Sequence, residues 1–83
     1  MKMTERQLIQ EILNTVDVLY DFENVDEDTK EYTLLIKQQN NDPRSLQVIN
    51  DEMKHYFKEA AFTYQEQLQP ADLDCDIKVE IKR

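Results

Sequence analysis

Three small groups of residues have the types and spacing that could do chemistry. Asp72, Asp74 and Asp76 reproduce the D-x-D-x-D opening of a calcium-binding loop. The continuation fails, because Ile77 stands where the sharp turn needs glycine and Arg83 where the bidentate glutamate belongs. The chain's one histidine, His55, has Glu52 three residues before it and Glu59 four after it. At those spacings both carboxylates can reach the imidazole from the same side of a helix and favour its charged form. A general base also needs a nucleophile or a cleft, and a zinc site needs further His or Cys ligands. The sequence supplies neither. The one cysteine, Cys75, lies among carboxylates on the apolar side of an alternating segment, an environment that raises a thiol pKa and makes it inert. No catalytic residue, cofactor or metal is therefore expected, and the chain reads as a non-enzyme.

The chain has no glycine in 83 residues. Glycine supplies the positive φ angles of phosphate-binding loops, dinucleotide turns and nucleophile elbows, so those signatures are excluded together. The turn positions fall instead to Asn24, Asn40, Asn41 and Asp42, the residues best able to take unusual backbone angles.

Charge points to binding. Eighteen acidic and ten basic residues give a formal net charge of −8. Direct contact with nucleic acid or an anionic membrane is disfavoured, since phosphate contacts depend on Lys and Arg. The aromatic-plus-basic pattern of a single-strand binder is missing, and Tyr20, Tyr32, Tyr56 and Tyr64 are expected at the core edge with hydroxyls reaching water. A protein partner with a basic surface is the expectation. Six of the carboxylates, Asp17, Asp21, Glu23, Asp26, Glu27 and Asp28, fall in one run without a Lys or Arg. Concentrated this way they can stand in for phosphates against a DNA-binding cleft. The plainer reading is a solvated loop whose Asp and Asn residues shape the turn.

The chain is long enough for one domain, residues 1–83, with a modest core. A first helix should start at Thr4, which forms a capping box with Gln7 and leads into Leu8, Ile9, Ile12 and Leu13. Val16, Leu19 and Tyr20 fit an extension of the same helical stripe, while Val16, Val18, Tyr20 and Phe22 alternate as a strand would. The strand is preferred because, paired with a second over Glu31 to Gln38 across a loop from Glu23 to Lys30, it makes the sheet three-stranded rather than two-stranded. Asp42 as cap and Pro43 at the first position should open a long second helix that runs to about Gln69, where Pro70 stops it. Some 26 residues at 1.5 Å each would make it roughly 39 Å long. Its apolar stripe is Leu46, Ile49, Met53, Phe57, Ala60, Ala61, Tyr64 and Leu68. On the opposite side Val48, His55 and Phe62 recur every seventh residue, with Glu52, Glu59 and Glu66 beside them. That line of Val48, His55 and Phe62 is a candidate anchor for a partner helix or for a second copy in a homodimer. The last segment, Leu73 to Ile81, alternates strictly and reads as a half-buried strand.

The expected fold is α+β in the order α-β-β-α-β: two helices packed on one face of a small three-stranded mixed sheet, with no internal repeat. The order resembles the type II KH arrangement in topology alone, and the Gly-X-X-Gly loop that clamps RNA in that family has no counterpart here. The N-terminal residues Met1 to Arg6 lead into an amphipathic segment rather than the apolar core of a signal peptide, and no apolar run reaches the length of a membrane span. A cytoplasmic setting is the expectation.

Overall fold

The first helix begins where the capping box places it. In the computed structural model, which describes residues 3–83, Thr4 Oγ1 accepts from the Gln7 backbone N–H at 3.1 Å, and Gln7 Oε1 accepts from the Thr4 N–H at 3.0 Å. Met1 and Lys2, part of the leader reading above, lie outside the described residues. Helix α1, Glu5–Val16, follows and buries Ile9, Ile12, Leu13 and Val16. Strands β1, Leu19–Asp26, and β2, Glu31–Lys37, form the antiparallel hairpin that the alternation predicted. The strand starts later than expected, because Val16 completes the helix and Asp17 turns the chain at φ 66°. The loop is also shorter, since Glu23 to Asp26 stay in the strand.

Two larger expectations are overturned. The second helix, α2, spans Leu46–Glu59 and does not reach Gln69. Its cap is Ser45, whose hydroxyl accepts from the Val48 N–H at 3.2 Å, while Asp42 is turned to a different use. The helix ends because Ala61 takes the left-handed conformation at φ 69°. The Ala61 N–H bonds the Lys58 carbonyl at 3.1 Å and the Phe62 N–H bonds the Phe57 carbonyl at 3.0 Å. That pair of reversed bonds is the Schellman arrangement, and the usual apolar contact closes it: the Phe57 and Phe62 rings meet edge to face at 5.6 Å. The chain then enters a strand, β3, Thr63–Leu68, which holds Tyr64, Glu66 and Leu68. The last strand, β4, Ile77–Lys82, is shorter than expected because residues 73–76 form an irregular approach to it.

The sheet is accordingly four-stranded and wholly antiparallel, in the order β1-β2-β4-β3, where three mixed strands were expected. The α+β class and the element order up to α2 stand; the mixed sheet of the KH-like arrangement does not. One sheet face meets both helices. It presents Tyr32, Leu34 and Ile36 from β2, Ile77, Val79 and Ile81 from β4, Tyr64 from β3, and the half-buried Tyr20, Phe22 and Val25 from β1. Ile49, Met53 and Phe57 complete the core from α2, as the stripe predicted, whereas Ala61 and Leu68 of that stripe are exposed.

The chain also repeats itself. Helix, strand, strand occurs twice, and the two hairpins meet through β2 and β4 running antiparallel, with Leu34 opposite Val79. Tyr20–Ile36 and Phe22–Leu34 in the first hairpin correspond to Tyr64–Ile81 and Glu66–Val79 in the second. Each helix ends on a left-handed residue, Asp17 or Ala61, followed by a buried apolar one whose N–H reaches back to Leu13 or Phe57. An internal two-fold thus relates two α-β-β units that the sequence does not display as a repeat.

Candidate protein-binding surfaces

Five carboxylates of the acidic run lie on β1 and the turn that follows it, and the sixth, Asp17, lies at the end of α1. β1 is an edge strand, and Asp21 stands exposed on it. Glu23 is the extra residue of a bulge, because Phe22 pairs Leu34 and Asn24 pairs Thr33. Asp26 closes the turn: its Oδ1 accepts from the N–H groups of Asp28 at 3.1 Å and Thr29 at 3.2 Å. Asp17 caps α1 and accepts from Gln39 Nε2 at 2.6 Å. Two of the six are therefore occupied with local backbone or linker contacts. Asp21, Glu23, Glu27 and Asp28 are exposed and uncommitted. Among the described residues none of the six joins an ion pair, although Glu5, Asp42, Glu52, Glu59, Glu66, Asp74 and Glu80 all do. Arg6 lies over the ring of Phe22, on β1, at 5.1 Å.

The outer side of α2 keeps part of its expected surface. Val48 is 45% exposed, and His55 and Glu59 face solvent with Nε2 and Oε1 3.5 Å apart. Tyr56 packs edge-on against His55 with ring centroids at 5.5 Å. Glu52 is drawn sideways to the guanidinium of Arg44. Phe62 does not belong to this surface. It lies beyond the helix end, 4% exposed, packed on Phe57 and covered by Arg83. The line of three expected anchors is reduced to Val48 and His55, because the chain stops being helical before the third.

Sequence reasoning missed the Arg44 cluster. Arg44 Nε donates to both oxygens of Asp42 at 2.9 and 3.0 Å, and Nη2 donates to the Val16 carbonyl at 2.8 Å. One guanidinium so ties the segment before α2 to the open C-terminal carbonyls of α1, where a cation is also favoured by the helix dipole. The paired Arg44 holds the Asp42 carboxyl at about 2, well below its ordinary value. Asp42, Pro43, Arg44 and Ser45 read in sequence as a helix start; nothing local says that the arginine reaches another element.

A second missed feature lies between α2 and β3. The Tyr64 hydroxyl donates to Asn50 Oδ1 at 2.8 Å, Asn50 Nδ2 donates to Glu66 Oε1 at 3.2 Å, and Lys54 Nζ stands 3.8 Å from the same oxygen. Asn50 is 1% exposed, so the chain of partners satisfies an otherwise costly buried amide. Burial, and then the charges of Glu66 and Asp51, raise the Tyr64 phenol. Tyr64 and Tyr32 are thus buried rather than at a wet edge.

The remaining candidates disperse. Asp74 stands 3.5 Å from Lys37, and Asp76 Oδ2 accepts from the Gln38 backbone N–H at 2.8 Å. Among the described residues no group of three His, Cys, Asp or Glu is placed to hold a metal ion. Cys75 precedes β4 instead of lying in it and is half-buried; burial first, then Asp76, Glu23 and Asp74, push its thiol up. No helix among the described residues is long and apolar enough to cross a membrane. No family model, curated protein or solved structure matches the chain.

Proposed function

We propose that the chain is a small, non-enzymatic protein-binding module that engages a basic surface of a target protein through β1 and its turn. The most specific form of this reading is an inhibitor or immunity-type protein that covers a nucleic-acid-binding surface on its target. One observation supports it above others: among the described residues the carboxylates of Asp21, Glu23, Glu27 and Asp28, on β1 and its turn, have no ion-pair partner, while seven of the twelve acids outside residues 17–28 lie within ion-pair distance of a basic side chain. Unpaired charge concentrated on one side steers a partner of opposite sign and sets the association rate. Assembly as a homodimer through Val48, His55 and Phe62 is the less supported reading, since Phe62 is buried.

The test is affinity capture from the native host with the wild-type chain and with a variant carrying Asp21→Asn, Glu23→Gln, Glu27→Gln and Asp28→Asn. Asp26 is left in place because it holds the turn. For the protein captured, association should slow by about tenfold or more in the variant, and the wild-type rate should fall steeply with salt while the variant's does not. Binding that ignores both salt and the four substitutions would reject the acidic edge as the contact.

A further inference from the structure

The two open edges of the sheet are protected to different degrees. β1 carries a bulge at Glu23 and the unpaired charges of Asp21 and Glu23, both of which discourage another strand from docking. β3 carries neither. Its six residues, Thr-Tyr-Gln-Glu-Gln-Leu, pair with β4 in unbroken register and contain no proline and no lysine. Just past the strand the Gln69 N–H bonds the Asp76 carbonyl at 2.7 Å, which fixes the phase of the ladder. Thr63, Gln65 and Gln67 turn their backbone groups toward β4, and Tyr64, Glu66 and Leu68 turn theirs outward.

We infer that β3 is a self-association edge: two copies pair β3 to β3, antiparallel, with Gln65 on the two-fold axis, and join their sheets into one of eight strands.

Charge admits a second copy at this edge, and a two-fold register makes the edge complementary to itself. Above β3, the flank of α2 carries Asp51, Lys54 and Lys58, and Lys54 reaches Glu66, so acids and bases balance within a chain of net charge −8. The acidic edge lies three strand spacings away, roughly 14 Å, beyond the Debye length of about 8 Å at physiological salt. In the paired form the two acidic edges sit at opposite ends, seven spacings or roughly 34 Å apart, and their repulsion is screened. The register follows from the same considerations. Of the two-fold pairings that keep both core faces on one side, the two that overlap most of the six-residue strand place either Gln65 opposite Gln65 or Glu66 opposite Glu66. The second sets like charges directly across from each other. The first sets Tyr64 opposite Glu66 and Thr63 opposite Gln67, and matches the outward N–H and C=O groups of Tyr64 and Glu66 in both copies. This interface is independent of the acidic-edge reading, and it leaves β1 open in each copy.

Sedimentation of the purified chain across a concentration series should show a monomer–dimer equilibrium. Gln65→Lys, an exposed change that puts like charges on the axis, should raise the dissociation constant at least tenfold without altering the circular dichroism of the monomer. In a Cys75→Ser background, Gln65→Cys should form a disulfide dimer under mild oxidation. Opposed residues at a non-hydrogen-bonded site have Cα atoms about 4.5 Å apart, within disulfide reach. Asp21→Cys, on the guarded edge, should not, and Val48→Glu should leave the dimer unchanged. A chain that stays monomeric at millimolar concentration would overturn the inference. So would a dimer indifferent to Gln65→Lys, a dimer dissolved by Val48→Glu, or cross-linking of Asp21→Cys as fast as that of Gln65→Cys.

Discussion

The two α-β-β halves solve the same packing problem with different residues. Where the first half places Leu13 and Val18 at the end of its helix, the second places Phe57 and Phe62. At matching positions on the edge strands stand Phe22 and Glu66, and the helix residue above each makes the contact its partner allows. Arg6 lies over the Phe22 ring at 5.1 Å, and Asn50 donates to Glu66 at 3.2 Å. Tyr20 packs edge-on to Phe22, whereas Tyr64 stacks on Phe57 and gives its hydroxyl to Asn50. One backbone plan tolerates an aromatic, cation-covered edge and a hydrogen-bonded polar edge. The difference teaches that the two halves share their central strands and left-handed helix ends and differ at their edges.

The comparison breaks most readily at Leu13 and Phe57. Both are fully buried, but Phe57 also anchors two rings, Phe62 at 5.6 Å and Tyr64 at 5.8 Å. Phe57→Ala should cost roughly 3–5 kcal/mol and Leu13→Ala roughly 2–4 kcal/mol in urea unfolding. If Phe57→Ala leaves too little folded protein to measure, Phe57→Leu against Leu13→Val gives the same ranking. Equal losses would mean that the aromatic cluster adds nothing to the second half beyond its volume.

A sharper contrast follows from the tyrosine pair. Tyr64→Phe removes the hydroxyl that satisfies Asn50 Oδ1 in a site closed to water, and should cost about 1–2 kcal/mol. Tyr20→Phe, at the half-buried matching position, should change stability by less than about 0.5 kcal/mol. Chemical denaturation of the two variants side by side decides it. Equal effects would show that the Asn50 network is not what distinguishes the halves.

The capping box at Thr4 and the core positions Ile49, Met53 and Phe57 were legible because each is a local pattern with one reading, whereas the hairpin of β1 and β2 was legible only as one of two readings of residues 16–22, helix or strand. The end of α2 was not. Ala60-Ala61-Phe62 contains neither glycine nor proline, and Tyr64 and Leu68 fit a helical stripe as well as an alternating strand. The signal that could have found the strand was the β-favouring run Phe62-Thr63-Tyr64, set against the helix-favouring residues before it. Misplacing that boundary moved Phe62 from the core to a binding surface and hid β3 altogether. The acidic run was legible as composition. Its division into turn-forming Asp26, cap-forming Asp17 and four uncommitted carboxylates depended on backbone geometry that no spacing rule encodes. Arg44 and Asn50 were invisible for the same reason, since their partners lie on other elements.

The finest contrast lies at the two left-handed helix ends. A non-glycine residue there crowds its Cβ against the backbone, at a cost of roughly 1–2 kcal/mol, and glycine removes that cost while adding entropy to the unfolded chain. Asn24, Asn40, Asn41 and Asp42, the residues best suited to such angles, do not take them; Asp17, Lys30, Ala61 and Gln69 do. Ala61 has no side-chain bond to compensate, so Ala61→Gly should stabilise by about 0.5–1 kcal/mol. Asp17 tolerates the conformation better and its carboxylate accepts from Gln39 at 2.6 Å. Asp17→Gly should therefore be close to neutral, the gained backbone freedom offset by the lost bond. Urea midpoints at constant slope would report the difference. A loss of stability in Ala61→Gly would mean that the Schellman turn is held by the Phe57–Phe62 contact so firmly that its left-handed residue carries no strain.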